Sequence, residues 1–259
     1  MREDPTLPGM PNLIDSLEFL RHRRHLSRES TAKEAGFSGG RLNQINQKRT
    51  APGPAVFKKL LTAFDTDLDT DQRRHLRELK KPSLYLPTTG ELRQRLTRQG
   101  VDAHLNYLDT RNMLALCIDP LRFVLHANQT FHRMVPGLAE VDNNYVRWLF
   151  TPAARDRITD WDTEVIHTIT ILRANLGRYR ALPRARDLYR QLRATPGFTP
   201  IWDATTMQVA YGCPHNQLLH IHTPDTDETS TLRLEISDYG GCPETLLIHG
   251  FPDACAIAC

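Results

Sequence analysis

The chain has 259 residues, 40% of them hydrophobic and 24% charged, with a formal net charge of +3. That is enough material for a real core and for two domains of ordinary size, and it excludes a disordered tail. No run approaches the roughly 18 apolar residues of a membrane span, and the N-terminus MREDPTLPGMPN lacks the apolar block of a signal peptide, so a soluble, cytoplasmic protein with no membrane partner is expected.

Charge is uneven along the chain. Residues 1–81 hold 16 Lys and Arg against 11 Asp and Glu, while residues 82–259 hold 17 against 19. All six lysines (Lys33, Lys48, Lys58, Lys59, Lys80, Lys81) lie in the first part. A boundary near Pro82 follows, giving domains 1–82 and 83–259. The five cysteines, Cys117, Cys213, Cys242, Cys255 and Cys259, form no Cys-x-x-Cys pair. Reduced, mostly buried thiols are therefore expected in place of a disulfide framework or zinc site.

The first domain reads as five short helices. Leu13, Ile14, Leu17, Leu20 and Leu26 fall at helical spacing. Ser27 is placed to cap a second helix, Arg28–Ala35, that stops at Gly36, and Ser38 to cap a third, Gly39–Gln47. The prolines of TAPGP end that helix. Ala55–Phe64 follows with Val56, Leu60, Leu61 and Phe64 inward, then Asp71–Lys80 with Leu76 and Leu79. Ala32 lets two helices approach and Gly36 supplies a left-handed turn, which together describe a helix-turn-helix in a small bundle.

The third helix is dense in fork-shaped hydrogen-bonding groups. Over residues 12–80 the chain resembles the XRE or phage-repressor family of DNA-binding domains, with that family's S-x-x-x-L-x-Q-I run as Ser38–Ile45. The resemblance implies a helix in the major groove of double-stranded DNA. Arg41 would reach guanine and Gln44 adenine, Asn43, Gln47, Lys48 and Arg49 would serve base edges or phosphates, and Ser38 and Arg28 would stand at helix starts against the backbone. Gly39 and Gly40 carry no side chain to read with, which weakens base readout at that end. One short recognition helix buries little specific contact, so a homodimer on half-sites about 34 Å apart is expected.

Past residue 83 a helix over Thr89–Gln99 leads to Val101–Tyr107. Short apolar runs at 113–119 and 122–128 around Asp119-Pro120 predict a hairpin. Helices follow at Asn144–Phe150, Pro152–Leu176 and Arg184–Thr195, the second carrying Trp161, Val165, Ile169, Leu172 and Leu176 at three- and four-residue steps. Strict alternation over Thr231–Ser237 marks a half-wet strand. Runs at Gln208–Cys213, Leu218–Thr223 and Glu244–His249 complete about five antiparallel strands. The fold class expected is α+β: a five-helix bundle, then a PAS-like antiparallel sheet with a helical insert.

The segments NYVRWLFTPAARDRITDW, LRANLGRY, PGFTPIWD and LHIHTPDTDETSTLRLEISDY, in that order, resemble the MmyB-like ligand-binding domain that follows an XRE-type helix-turn-helix in bacterial regulators, over about residues 85–253. The resemblance implies a sensor with an apolar cavity for a small apolar or acyl-chain molecule. A subset of Phe123, Phe131, Trp148, Ile166, Ile169 and Ile221 is expected to line an enclosed apolar space of a few hundred Å³, ligand sites of that kind being typically about 300 to 1,000 Å³. At helical and strand spacing the same residues serve equally as plain core, in which case a protein partner would do the regulating. His126, His132, His220, His222 and Cys117 invite a metal or haem site, but no spacing fixes a third ligand, and none is expected. No Gly-rich phosphate loop, G-x-S-x-G elbow or H-E-x-x-H occurs, so neither catalysis nor a cofactor is expected.

Overall fold

A computed structural model describes residues 7–212, 218–223 and 229–252. They fall into two compact units. The first holds residues 7–85 together with 173–189 and 205–210, and the second holds 86–172, 190–204 and the described residues from 211 onward.

In the first unit, helix α1 (Leu13–Arg23) begins at Asn12, whose side chain accepts from the Asp15 amide, and buries Leu13, Ile14, Leu17 and Leu20. Helix α2 (Arg28–Glu34) is capped by Ser27, which accepts from the Ser30 amide. Gly36 sits at φ +69°. Its amide donates to the Lys33 carbonyl and the Phe37 amide to that of Ala32, at 3.0 and 2.9 Å, closing the helix as a left-handed glycine does. Helix α3 (Gly39–Lys48) follows. Ser38 has the extended backbone of a cap, but its side chain makes no capping hydrogen bond, contrary to the expectation from sequence.

Helix α4 (Pro54–Ala63) starts on a proline and α5 (Thr70–Lys80) on a capping box of Asp69 and Gln72. In α4 the inward stripe is Val56, Phe57 and Leu60; Leu61 is only partly buried, a small rotation from the expected face. Leu42, Ile45, Ala32, Phe64, Leu76 and Leu79 join these in one core. Each such aliphatic side chain contributes about 1.5–3 kcal/mol by burial.

The second unit opens with α6 (Thr89–Arg98), boxed by Thr88 and Glu91, and α7 (Val101–Asp109). Strands β1 (Leu114–Ile118) and β2 (Val124–Ala127) form the expected hairpin. Short helices α8 (Gln129–Met134), α9 (Tyr145–Leu149) and α10 (Pro152–Arg157) come next, then the long α11 (Trp161–Tyr179), α12 (Pro183–Arg193) and α13 (Phe198–Ala204). The unit boundary divides α11 after Leu172 and α12 after Tyr189.

The single helix expected over 152–176 is two. Ile158 is extended (φ −96°, ψ 114°) and bridges Ile221, while the Thr159 amide donates to the His220 carbonyl at 3.0 Å, so strand pairing captures the residues between the helices.

Strands β3 (Leu218–His222), β4 (Thr229–Tyr239) and β5 (Cys242–Pro252) complete an antiparallel sheet ordered β2-β1-β5-β4-β3. The strand expected at 208–213 is absent: 208–212 are irregular, and Cys213 lies outside the described residues. The fold is α+β and PAS-like: seven helices, then a five-stranded antiparallel sheet with six α-helices inserted between β2 and β3, among the described residues.

Strand β1 is buried on both faces. Ala115 and Cys117 pack with Leu92, Leu96, Leu105 and Leu108 of α6 and α7. Leu114, Leu116 and Ile118 point the other way, into the space described next.

Candidate functional site

The second face of the sheet does not close on its helices. A cavity of about 60 Å³ remains, smaller than the few hundred Å³ expected from sequence. About 10 to 15 Å³ already holds a water, so this is more than a packing defect. Its sheet wall is Leu114, Leu116 and Ile118 of β1, Leu219 and Ile221 of β3, Leu234 and Ile236 of β4, and Ile248 of β5. The register brings Leu116, Ile248 and Ile236 side by side across three strands. Phe131, Val135, Trp148 and Ile171 supply the apolar part of the opposite wall.

Five polar side chains also line it: Arg122, Tyr145, Glu164, His167 and Thr168. The Tyr145 and Thr168 hydroxyls donate to Glu164 Oε1 at 3.2 and 3.1 Å. Tyr145 stacks on Trp148, ring centroids 5.6 Å apart, and Trp148 Nε1 donates to the Pro136 carbonyl at 2.7 Å. Burial, and then the nearby Arg122 guanidinium, push His167 down to about 4, so it stands neutral at physiological pH. Arg122 reaches this wall from a left-handed backbone (φ 66°) in the β1–β2 turn, a conformation that costs a non-glycine residue free energy. The arrangement suits a largely apolar molecule with a polar end.

Of the ligand residues expected from sequence, Phe131, Trp148 and Ile221 line the cavity. Phe123, Ile166 and Ile169 lie elsewhere. Phe123 bridges Asn144, Ile166 is 42% exposed, and Ile169 is fully buried in the helical core. The reason is rotational. The apolar stripe of α11 (Trp161, Val165, Ile169, Leu172) packs as core, whereas the neighbouring stripe of Glu164, His167, Thr168 and Ile171 faces the cavity. The signal that could have found it is the same i, i+3, i+4, i+7 spacing traced through polar residues.

Three of the histidines considered for a metal have ordinary partners. His126 Nδ1 lies 3.1 Å from Asp102 Oδ1, and His220 and His222 meet the hydroxyls of Thr231 and Thr229 at 2.9 and 3.1 Å. Among the described residues no group of three or more His, Cys, Asp or Glu could hold a metal ion. Cys117 is buried, and loss of solvation pushes its thiol up to about 12.

In the first unit, α3 buries Leu42 and Ile45 and exposes Arg41, Asn43, Gln44, Gln47 and Lys48. An open depression runs along Ser38, Gly40, Arg41, Gln44 and Lys48 to the loop at Thr50–Gly53. Arg28 and Arg49 are exposed but paired within the fold, with Glu18 and Asp15, each at 2.9 Å. Asn46 donates to Glu18 Oε1 at 2.8 Å, tying α3 to α1. Glu18 therefore gathers Arg21, Arg28 and Asn46, and the two guanidiniums hold its carboxyl below the ordinary range against the opposing effect of burial.

Residues 91–241, more than half of the chain, match the family model of the MmyB-like transcription regulator ligand binding domain. The chain belongs to that family. Among curated proteins none matches it. The MmyB-like range takes in four of the five strands and the helices that wall the cavity, from within α6 to β4, and ends before β5. It places the chain among transcription regulators that carry a ligand-binding domain. No helix among the described residues is long and apolar enough to cross a membrane.

Proposed function

We propose that this MmyB-like protein is a cytoplasmic, homodimeric transcription regulator whose first unit reads double-stranded DNA through a helix-turn-helix formed by α2 and α3, and whose cavity takes a small, mainly apolar ligand that biases DNA affinity. The observation that carries the DNA reading is the outer face of α3. Arg41, Asn43, Gln44, Gln47 and Lys48 are all exposed and make no side-chain hydrogen bond among the described residues, while Leu42 and Ile45 anchor the helix beneath them. Uncommitted amides and guanidiniums on a rigid helix are suited to bidentate contacts with base edges. Arg28 and Arg49, held by carboxylates, are suited to presenting charge to phosphates.

The ligand reading rests on the cavity: aliphatic walls, a buried polar end and room beyond one water. An apolar ligand that prefers one of two conformations shifts the population toward it, which is all that regulation requires. Selection of bound sequences from random duplexes, with the full-length protein at fixed salt, tests the DNA arm. Enrichment of one two-fold-related motif by wild type, and its loss in Arg41→Ala and Gln44→Ala, is expected. Enrichment unchanged in both variants would remove α3 from the reading. Mass spectrometry of the small molecules that copurify tests the ligand arm.

A further inference from the structure

Behind β1 the cavity is bounded by a second packed layer, since α6 and α7 cover the far face of that strand with Leu92, Leu96 and Leu105 nearly inaccessible. Toward β3 the boundary is a single layer. A second hollow, lined by Ile158, Asp160, Thr163 and Leu218 among others, runs between α11 and β3 and shares Glu164, His167 and Leu219 with the cavity wall. Those three side chains therefore form a wall common to the two spaces.

We infer that the ligand enters and leaves the cavity through this hollow, past Glu164, His167 and Leu219. The inference rests on the ligand reading above. Two further observations support it. Strand β3 is an edge strand, bonded along one side to β4. On its other side it is held, among the described residues, by the isolated bridge of Ile158 to Ile221, the Thr159 amide on the His220 carbonyl at 3.0 Å, and Arg157 on the His222 carbonyl at 3.3 Å. An edge held by so few bonds opens at lower free-energy cost than the central β1 and β5, which are paired along both sides. Moreover, Leu218 and Ile166, 40% and 42% exposed, are among the few large apolar side chains at the surface among the described residues. Leu218 lines the hollow and Ile166 sits on the adjoining turn of α11, so both offer apolar surface where the passage meets solvent.

The test separates passage from binding. Thr163 and Leu218 line the hollow but not the cavity, so Thr163→Trp and Leu218→Trp should obstruct transit without altering the bound state. Binding of the uncharged fluorophore N-phenylnaphthylamine to the full-length protein is followed by stopped flow, with circular dichroism confirming that each variant is folded. Association and dissociation rate constants should both fall about tenfold or more while Kd stays within about twofold, because a gate changes the barrier and not the end states. Rate constants unchanged in both folded variants, with wild type binding the fluorophore, would overturn the passage and leave the cavity reading standing. Failure of wild type to bind the fluorophore would overturn the ligand reading and the passage with it. Ile248→Phe, which fills the cavity from β5, should by contrast weaken Kd, marking the difference between the two sites.

Discussion

At the residue scale, the exposed face of α3 divides labour by side chain. Truncating Arg41 or Gln44 to Ala should each weaken binding to the preferred duplex by about 1 to 3 kcal/mol and relax the preference at one base pair. Lys48→Ala should weaken every sequence about equally and flatten the salt dependence, as loss of a phosphate contact does. Titrations at matched salt on specific and scrambled duplexes separate the two patterns. His75 supports a different prediction, of stability against pH. It is buried with its Nδ1 unbonded, and desolvation first, then the Arg173 and Arg180 guanidiniums, push it down to about 3. The unfolded chain titrates near the ordinary value of about 6.5. Below that pH the unfolded state takes up a proton that the fold refuses until about pH 3, so this stabilisation is complete above pH 6.5 and is lost progressively as pH falls. The slope is about 1.4 kcal/mol per pH unit for one group. Denaturant unfolding between pH 7 and 4 should show it, and His75→Gln should remove its share of the slope.

At the element scale, Gly177 in α11 sets two effects against each other. A glycine inside a helix costs about 0.5 to 1 kcal/mol relative to alanine, so Gly177→Ala would ordinarily stabilise. Here the added Cβ would stand 2.5 Å from His75 Cε1 and 2.9 Å from Leu79 Cδ2, both buried on α5. Overpacking of that kind costs about 1 to 3 kcal/mol, and the clash wins. Net destabilisation in a denaturant midpoint is the expected result, and a rise in the midpoint would refute it. The same element displays how far sequence periodicity carries. Helical spacing identified the buried stripe of α11, but the stripe that matters to the cavity is the polar one beside it, because the apolar residues were consumed by the core.

For the whole molecule, ligand and oligomer enter through mass action. An apolar compound that occupies the cavity of the native state alone, present at 100 times its Kd, should stabilise the protein by about 2.7 kcal/mol. The Tm of wild type should rise with compound concentration, and that of Ile248→Phe should rise less. Sedimentation at working concentration should find a dimer, and footprinting should find two protected half-sites about one helical turn apart. A monomer that protects a single half-site would contradict both.

Chain order, fold class and the exposed character of α3 were legible in the sequence, because caps, turn glycines and hydrophobic period are local and act over a few residues. Thus Ser27, Gly36 and the alternation of β4 located their elements without tertiary information. What only the tertiary structure decided was where long-range pairing overrides local preference. The bridge of Ile158 to Ile221 broke a helix that periodicity had drawn as continuous. Glu18 and Asp15 claimed Arg28, Asn46 and Arg49, which look alike in sequence to the uncommitted Arg41 and Gln44. The cavity itself is a shortfall of packing between a sheet and its helices. Its lining is chosen by the rotation of α11 against β1, β4 and β5, and that rotation depends on the sum of all their contacts and not on any one segment.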